Sequence, residues 1–545
     1  MTTLTFQRQP VANLGALLRF MARYNWVRLV LWFLLTAGML AFIAVYYRSL
    51  NEDDPNFRAS LESVSAVPSM MAMAGILSNF TPLGSAVWIK AWMFIAVMLG
   101  IGMVFLVTHN LRADEDAGRT EVFRSRPLGI HSSYVATLIM TVGVCVISGV
   151  GCAVVLNALG LVDTDSKGCW VFGLSIMAVG FLGVGLGLLA NQLAASSSGA
   201  NGIGIGIFIV AYLFRMAADM QATHDPVSGT IDDTALIWVN PLGWAERMDP
   251  WGQNRLWPVF ALFGLMVVCA GIGWVIETRR DYGGSLLAVR PGNPDAGPLM
   301  TSVWGLTLRL QRVSFFVWAL AVAVFALMFG TVVHQFTDFL DAMPAGMYTG
   351  IEPLKAVGAL FVCMLALCIG AFVIQSSQNL IIDDTHGLLE YQLSGAVSRL
   401  GWAAQRLGVT CAWALVLLAI AGACFAGSFV ATTGDNTQFV PLFAALFAYV
   451  PSLLFLMSVV VLGLGWWPRA GIAVGWAVFA VFWFLMLLGE TLSLPTAVFN
   501  WLPFISTSSV PANPVDWTKI AVTGLVSLSM IGLGLLGFRR RNIPA

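Results

Sequence analysis

The sequence carries very little charge. Of its 545 residues, 10% are Asp, Glu, Lys or Arg and 58% are hydrophobic, whereas an average soluble domain has about 25% charged residues. Its 28 basic residues cancel its 28 acidic residues, so the overall charge gives no attraction for nucleic acid. The composition therefore excludes a soluble chain, predicts a membrane protein in contact with lipid, and indicates no nucleic-acid partner.

Motifs for metals and nucleotides are also missing from the sequence. The eight cysteines form no C-x-x-C pair and the five histidines are scattered, so no metal site or haem site is predicted. Nowhere does Gly precede Lys, which excludes a P-loop. The chain is therefore expected to hold no cofactor and to have no catalytic residues of its own.

Apolar runs dominate what is present. Runs long enough to cross a bilayer, about 20 residues each, occur twelve times and predict an all-α polytopic membrane protein. The charged residues fall in loops or near the ends of these runs, and most Lys and Arg lie on the side that holds both termini, which predicts cytoplasmic termini. The predicted spans are 27–47, 88–107, 134–159, 170–189, 203–214 with its polar continuation, 257–276, 315–333, 354–374, 402–430, 439–464, 472–488 and 517–538.

The twelve spans divide into two similar halves. Residues 1–276 form a first six-helix transmembrane half, 277–307 a cytoplasmic linker with the Pro/Gly-rich stretch VRPGNPDAGP, and 308–545 a second six-helix half. An amphipathic lead-in precedes the first span of each half, at 11–25 and 300–313. This arrangement predicts two parallel six-helix repeats, as in many transporters.

The cytoplasmic loop after the second span of each half carries the strongest local signal. The first reads LRADEDAGRTEVFRSRPLG and the second IIDDTHGLLEYQLSGAVSRLG. Each contains acidic residues followed by a glycine, a pattern that predicts a hinge at the glycine and a short helix after it. Because this charged knob occurs twice, we expect it to dock a twofold soluble partner. The candidate docking residues are Asp114, Glu115, Asp116, Gly118, Arg119 and Glu121 in the first loop, and Asp383, Asp384, Gly387 and Glu390 in the second.

Four segments along the chain resemble one known family. They are RADEDAGRTE (112–121), NPLGWAERMDP (240–250), GGSLLAVRPG (283–292) and RRRNIP (539–544). Together they resemble the ABC type-2 permeases, specifically the twelve-span actinobacterial permeases described as polyketide-antibiotic or multidrug exporters, which have a type V exporter fold. The second half departs from the family pattern, because Gly387 is followed by Leu388 rather than Arg and His386 intrudes.

The resemblance implies an ATP-driven exporter of amphipathic drugs or polyketide-like antibiotics in the bacterial cytoplasmic membrane. A separate ABC ATPase, expected in two copies per permease, would bind ATP and Mg²⁺, and the two loops would be the coupling helices that enter it. In such permeases the second and fifth helices of each half line the substrate cavity. Their candidate lining residues here are Phe94, Met98, Met103, Phe208, Tyr212, Phe361, Met364, Trp476, Phe479 and Trp483.

Two other functions fit parts of the sequence. A proton-coupled twelve-helix transporter would share the two-half plan, but its loop motif and its membrane carboxylates are missing. A lipid-dependent glycosyltransferase would use acids in the first outer loop, where Glu52, Asp53 and Asp54 lie.

Glycine pairs at 183/187 and 202/206, and the run from Gly532 to Gly537, are predicted to be helix-packing faces. The outer segments 223–257 and 490–516 are expected to form short helices that close the extracellular end.

Overall fold

The computed structural model covers most of the chain. It describes residues 11–48, 74–78, 82–124, 128–161, 164–225, 230–232, 234–280, 284–286, 295, 297, 300, 302–341, 353–385, 387–395, 397–488, 501–507 and 515–541. The acidic cluster at 52–54, His386 and most of the linker stretch VRPGNPDAGP lie outside the described residues, as do parts of both predicted outer segments.

Within the part of the chain that the structure describes, twelve helices are long and apolar enough to cross a membrane, which confirms the all-α polytopic fold. An apolar run in lipid becomes a helix because every backbone N–H and C=O must find a partner within the segment. The spans run Leu14–Arg48, Leu83–Asp116, Ser132–Leu159, Ser166–Leu193, Ser197–Asp219, Trp257–Arg279, Val303–Val333, Gly358–Thr385, Arg399–Thr433, Asn436–Trp466, Pro468–Met486 and Trp517–Arg540. We number them from first to twelfth.

The chain separates into two compact units, Met1–Pro291 and Gly292–Ala545, and each contains six spans. The boundary falls within the predicted linker 277–307. The seventh span begins earlier than predicted, at Val303, because the amphipathic lead-in and the apolar run form one unbroken helix, Val303–Asp341. The same is true at the start of the chain, where the lead-in belongs to the helix Leu14–Phe33.

The first two spans each contain a π-helical turn. In the first, Leu34–Gly38 separates the α-helices Leu14–Phe33 and Met39–Arg48. The Thr36 hydroxyl lies in this turn and donates to the Trp32 carbonyl at 2.9 Å. The second span is built from α-helix, π-turn and α-helix in the same way: Pro82–Val87, Trp88–Trp92 and Met93–Asn110.

The fourth span is the centre of the first unit, where it packs against the second, third, fifth and sixth spans. Glycine permits these close approaches. A Cβ at Gly183 would collide with the Gly100 carbonyl of the second span, and one at Gly187 would lie 3.1 Å from the Val107 Cβ, so the predicted packing face is confirmed there. The prediction for Gly202 was wrong, as no described atom lies within 4 Å of a Cβ built on it; the same holds for Gly206.

In the second unit, the main pairs are the seventh span with the ninth and the tenth with the twelfth. The predicted packing face on the twelfth span is confirmed at Gly534 and Gly537, which lie against Val461 and Trp466 of the tenth. At Gly532, no described atom lies within 4 Å of an added Cβ.

Further helices complete or extend the spans of the second unit. They are Pro353–Ser377 and Asn379–Thr385 in the eighth span; Asn436–Gln438 (3₁₀), Phe439–Phe447 and Val450–Trp466 in the tenth; and Pro468–Leu488, which contains the eleventh.

Short elements connect the spans. Most are helices of five or six residues, and the one hairpin among the described residues is a small exception to the all-α fold. They are the helices Arg112–Asp116, Arg119–Arg124, Ala235–Val239, Pro241–Glu246 and Leu388–Leu393, the 3₁₀ turn Ile505–Thr507, and the strands Thr223–Asp225 and Thr230–Asp232, which pair antiparallel.

Candidate functional site

The first loop, residues 112–124, consists of two short helices joined by a glycine in a left-handed conformation. Gly118 has φ +68°, a value that other residues adopt only with strain. An added Cβ would meet no atom within 4 Å, so the backbone angle and not crowding favours glycine. The Glu121 N–H donates to the Gly118 carbonyl at 3.2 Å and begins the second helix.

The second loop, residues 379–395, repeats this arrangement. Gly387 has φ +73° and begins the helix Leu388–Leu393. Glu121 is the third residue of the helix after Gly118, and Glu390 is the third residue of the helix after Gly387. Both glutamates are exposed. The two predicted knobs therefore present one acidic side chain from the same position of the same local structure.

The remaining acids of the first loop bind within the protein. Glu115 is almost fully buried and accepts from Arg112 Nη1 at 3.2 Å and from Arg280 Nη2 at 2.8 Å. Asp116 accepts the backbone N–H of Ser197 at 2.7 Å. These contacts fix the loop to the end of the sixth span and to the turn between the fourth and fifth spans.

Asp114 of the first loop pairs with Arg119 at 2.6 Å across the glycine. This pair is partly exposed, so it belongs to the same outward surface as Glu121. The outward face of the first loop thus combines the Asp114–Arg119 ion pair with the exposed Glu121, whereas Glu115 and Asp116 anchor the loop.

In the second loop, both aspartates are held by arginines. Asp383 accepts from Arg406 Nη2 at 2.6 Å and from Gln392 Nε2 at 3.1 Å. Asp384 is buried and binds Arg541. The exposed surface that remains includes Glu390 and Tyr391, whose side chain is 81% exposed.

Two of the arginines that bind these acids were not predicted as site residues from the sequence. Arg280 and Arg541 are the first residues after the sixth and twelfth spans, and each has an extended backbone with ψ 145° and 140°. From these equivalent positions they reach Glu115 and Asp384. We call each pair an arginine clasp. The available signal was the run of arginines that ends the sixth span of each half, at 279–280 and 539–541.

A cavity of about 340 Å³ lies beside the first loop. The loop side contributes Asp114, Glu115 and Arg119, and the lead-in helix contributes Leu17 and Tyr24. Among the described residues no group of three or more His, Cys, Asp or Glu side chains could hold a metal ion.

The predicted cavity-lining residues of the first unit fall into two groups. Met103 and Phe208 are fully buried, and the Phe208 ring lies where a Cβ on Gly100 would be. These two pack within their own unit. Phe94, Met98 and Tyr212 are half-buried and retain exposed surface.

In the second unit, Phe361 is buried and stacks on Phe329 with ring centroids 4.6 Å apart. The other predicted residues keep part of their surface exposed. These are Met364 and the aromatic row Trp476, Phe479 and Trp483, with successive ring centroids 5.7 and 6.2 Å apart along the eleventh span.

At the opposite end of the first unit, four charged side chains form a buried network. Arg215 Nε lies 2.5 Å from Glu246 Oε2 and 2.7 Å from Asp219 Oδ2. Arg247 contacts Asp219 at 2.9 Å and Glu246 at 3.0 Å. The four side chains are at most 2% exposed. This network joins the end of the fifth span to the segment 240–250.

Glu246 of this network is also bonded to the backbone, since the Ile76 N–H donates to it at 2.6 Å. Burial alone would raise its pKa, but the guanidinium groups of Arg215 and Arg247 outweigh burial and hold the pKa of Glu246 below its ordinary value. The segment NPLGWAERMDP stands out in the sequence by its family resemblance, but nothing beside Glu246 and Arg247 in the sequence indicates that their charges are buried partners.

Comparison with known proteins finds similarity along nearly the whole chain. Residues 300–539 match the family described as "Multidrug efflux system permease Rv1217c, C-terminal domain". The chain is 29% identical over 542 residues to the multidrug efflux system permease protein Rv1217c of Mycobacterium tuberculosis (strain ATCC 25618 / H37Rv), covering 97% of this chain and 94% of that protein. This multi-pass membrane protein is thus similar to a multidrug efflux permease over nearly its whole length.

Proposed function

We propose that this chain is the permease subunit of an ATP-driven exporter of amphipathic drugs or polyketide-like antibiotics, coupled to a separate ABC ATPase. One observation carries the proposal: the helix–glycine–helix loop recurs at the same place in both units, with an exposed glutamate at the same position. The similarity to a multidrug efflux permease supports transport as the activity.

The docking surface that we propose consists of the exposed parts of the two loops. The first offers Glu121 and the Asp114–Arg119 pair, and the second offers Glu390 and Tyr391. Two such surfaces on one chain suit two ATPase copies, which would bind ATP and Mg²⁺ themselves. An exposed tyrosine is a side-chain type that is enriched at the energetic centre of protein interfaces. Both loops and both termini would then lie on the cytoplasmic side of a bacterial membrane.

The substrate class follows from the spans. Apart from Arg28 in the first span, their described charges lie within about ten residues of a span end. The half-buried side chains proposed to meet substrate are Met and aromatic residues. Such a lining suits an amphipathic molecule better than an ion or a sugar. Phe94, Met98, Tyr212, Met364 and the row from Trp476 to Trp483 are the proposed contacts, because they keep exposed surface. Their replacement should change drug selectivity and leave the docked ATPase in place.

The test is to purify the chain with whatever ABC ATPase is encoded beside it and to measure vanadate-sensitive ATP hydrolysis and drug transport in liposomes. We expect Glu121→Ala with Glu390→Ala to release the ATPase or to uncouple hydrolysis from transport. The matched control is Asp435→Asn with Asp516→Asn, which neutralises two acids in loops at the opposite end and keeps their cap acceptors.

Two results would contradict the proposal. In the first, the double glutamate variant behaves like the control variant, which means that the loops do not dock the ATPase. In the second, no ATPase associates and wild-type transport collapses with the proton gradient. That outcome identifies a secondary transporter.

A further inference from the structure

Each unit links the end of its sixth span to its loop in the same way. In the first unit Arg280, at the C-terminal end of the sixth span, binds Glu115 at 2.8 Å. In the second unit Arg541, at the C-terminal end of the twelfth span, binds Asp384. The paired residues are 165 and 157 positions apart in the chain. In each unit the arginine follows the last span directly, and its acidic partner lies three residues before the glycine of the loop. The ion pair is therefore a repeated structural feature of both halves.

The clasps are largely shielded from water. The side chains of Glu115 and Asp384 are 8% and 2% exposed, and those of Arg280 and Arg541 are 14% and 20% exposed. Salt screens a buried ion pair much less than an exposed one. Removing one partner leaves an uncompensated buried charge, so each clasp resists separation of the loop from the span.

In the first unit, polar contacts hold the loop beside a cavity. The short helix Arg112–Asp116 and the lead-in helix both line this cavity of about 340 Å³. Arg280 Nη1 and Arg112 Nη1 both donate to the Gly284 carbonyl, at 2.8 and 2.9 Å. The loop, the end of the sixth span and the chain beyond it therefore form one hydrogen-bonded body.

The sixth span also packs against the helix Pro241–Glu246, which carries Glu246 of the buried charge network. The span begins at Trp257, whose ring stacks on Trp238 with centroids 5.7 Å apart. Residues 240–250, which hold Glu246 and Arg247, come just before it. A helix of 23 residues extends for about 35 Å, and it directly connects the first loop with this segment.

We propose that the arginine clasps Arg280–Glu115 and Arg541–Asp384 pass displacement of the coupling loops to the sixth and twelfth spans. In the first unit, the sixth span carries that displacement onward to segment 240–250. The proposal rests on the proposed function, since the ATPase supplies the displacement. Arg280 and Arg541 are positioning residues: they touch neither ATP nor drug, and their effect is on the ratio of drug transported to ATP hydrolysed.

The transport test uses the complete permease–ATPase complex in liposomes. We expect Arg280→Gln with Arg541→Gln to keep the ATPase bound and hydrolysing while transport per ATP falls about threefold or more. The matched control is Arg279→Gln with Arg540→Gln, which removes two adjacent, exposed arginines that form no ion pair among the described residues. Arg280→Lys with Arg541→Lys should restore part of the ratio, because lysine keeps the charge but loses the planar fork.

A second measurement uses the permease alone and so does not depend on ATP. Hydrogen exchange at residues 112–118 should be about tenfold faster in Arg280→Gln than in Arg279→Gln, because the loop opens locally more often. Equal exchange in the two variants would overturn the clasp. Faster exchange together with a wild-type transport ratio would also overturn the proposal, since the clasp would then only stabilise the loop. If the Gln variants do not fold, the Lys variants carry the same comparison. A wild-type complex with no ATP-driven transport would refute the proposed function instead.

Discussion

Replacing Glu246 by glutamine should destabilise the first unit substantially. The network has two arginines and two carboxylates, all at most 2% exposed. Glutamine keeps the size and an oxygen that can still accept from Ile76, but it leaves Arg215 and Arg247 with Asp219 as their carboxylate partner. One positive charge then remains uncompensated in the interior. Breaking a buried ion pair by removing one partner costs about 3–5 kcal/mol, and the retained hydrogen bonds favour the lower end, about 3 kcal/mol.

The assay is the apparent midpoint of thermal unfolding of the purified protein in detergent. With about 2–4 °C per kcal/mol for large domains, the variant should unfold about 6–12 °C below the wild type. Arg255→Gln is the control, because Arg255 lies in the same segment and bonds to Gln253 Oε1 outside the network. A midpoint for Glu246→Gln within about 2 °C of that control would refute the reasoning.

The same residue predicts a dependence on pH. The folded protein holds the pKa of Glu246 below its ordinary value of 4.5, so ionised Glu246 contributes stability that is fully present above pH 4.5. That contribution is lost as the pH falls through the lowered folded pKa. The midpoint difference between wild type and Glu246→Gln should therefore shrink on acidification below about pH 4.5. A difference that stays constant down to pH 3 contradicts this assignment.

Three further predictions concern single sites. Gly183→Leu should lower the thermal midpoint far more than Gly202→Leu, because a side chain at 183 meets backbone and one at 202 meets open space; equal losses contradict the packing argument. Gly118→Ala should cost about 1 kcal/mol from its positive φ, measured as a midpoint shift against Gly395→Ala, and an effect no larger than that control's contradicts the left-handed turn. Glu121→Cys in a background without the native cysteines should react with a membrane-impermeant maleimide only in inside-out vesicles, and labelling in right-side-out vesicles contradicts the orientation.

The spans were predictable because lipid leaves a long apolar run one stable structure, the helix. The glycines of the two loops were predictable for a related reason: Gly118 and Gly387 sit where a helix must end and a new one begin, and the left-handed conformation favours glycine. In both cases the cause is local in sequence, so the residues around each position are enough to predict its structure.

The clasps and the buried network were not predictable, because their partners are distant. Arg280 binds Glu115, which is 165 positions away in the chain. The residues around Arg280 do not indicate that Glu115 is its partner, and those around Glu115 do not indicate Arg280. The glycine pairs show the same limit, since 183/187 and 202/206 have the same spacing but differ in whether a neighbouring helix approaches. The sequence also did not indicate which apolar side chains of a span are buried in the protein. Phe208 is fully buried and adjacent Ile207 is 44% exposed, yet lipid and protein core both accept apolar side chains.

The π-turns change how the two halves correspond. Each π-turn accommodates one residue more than regular α-helix does, so positions after Gly38 and after Trp92 are rotated by about 100° from where an α-helix would place them. The counterpart helices Val303–Asp341 and Pro353–Ser377 are α-helical throughout. If the two halves are aligned residue for residue, the positions that follow each π-turn are therefore paired with residues whose side chains face a different direction. Mutations designed by internal symmetry in the first and second spans need an offset of one residue to reach the equivalent surface.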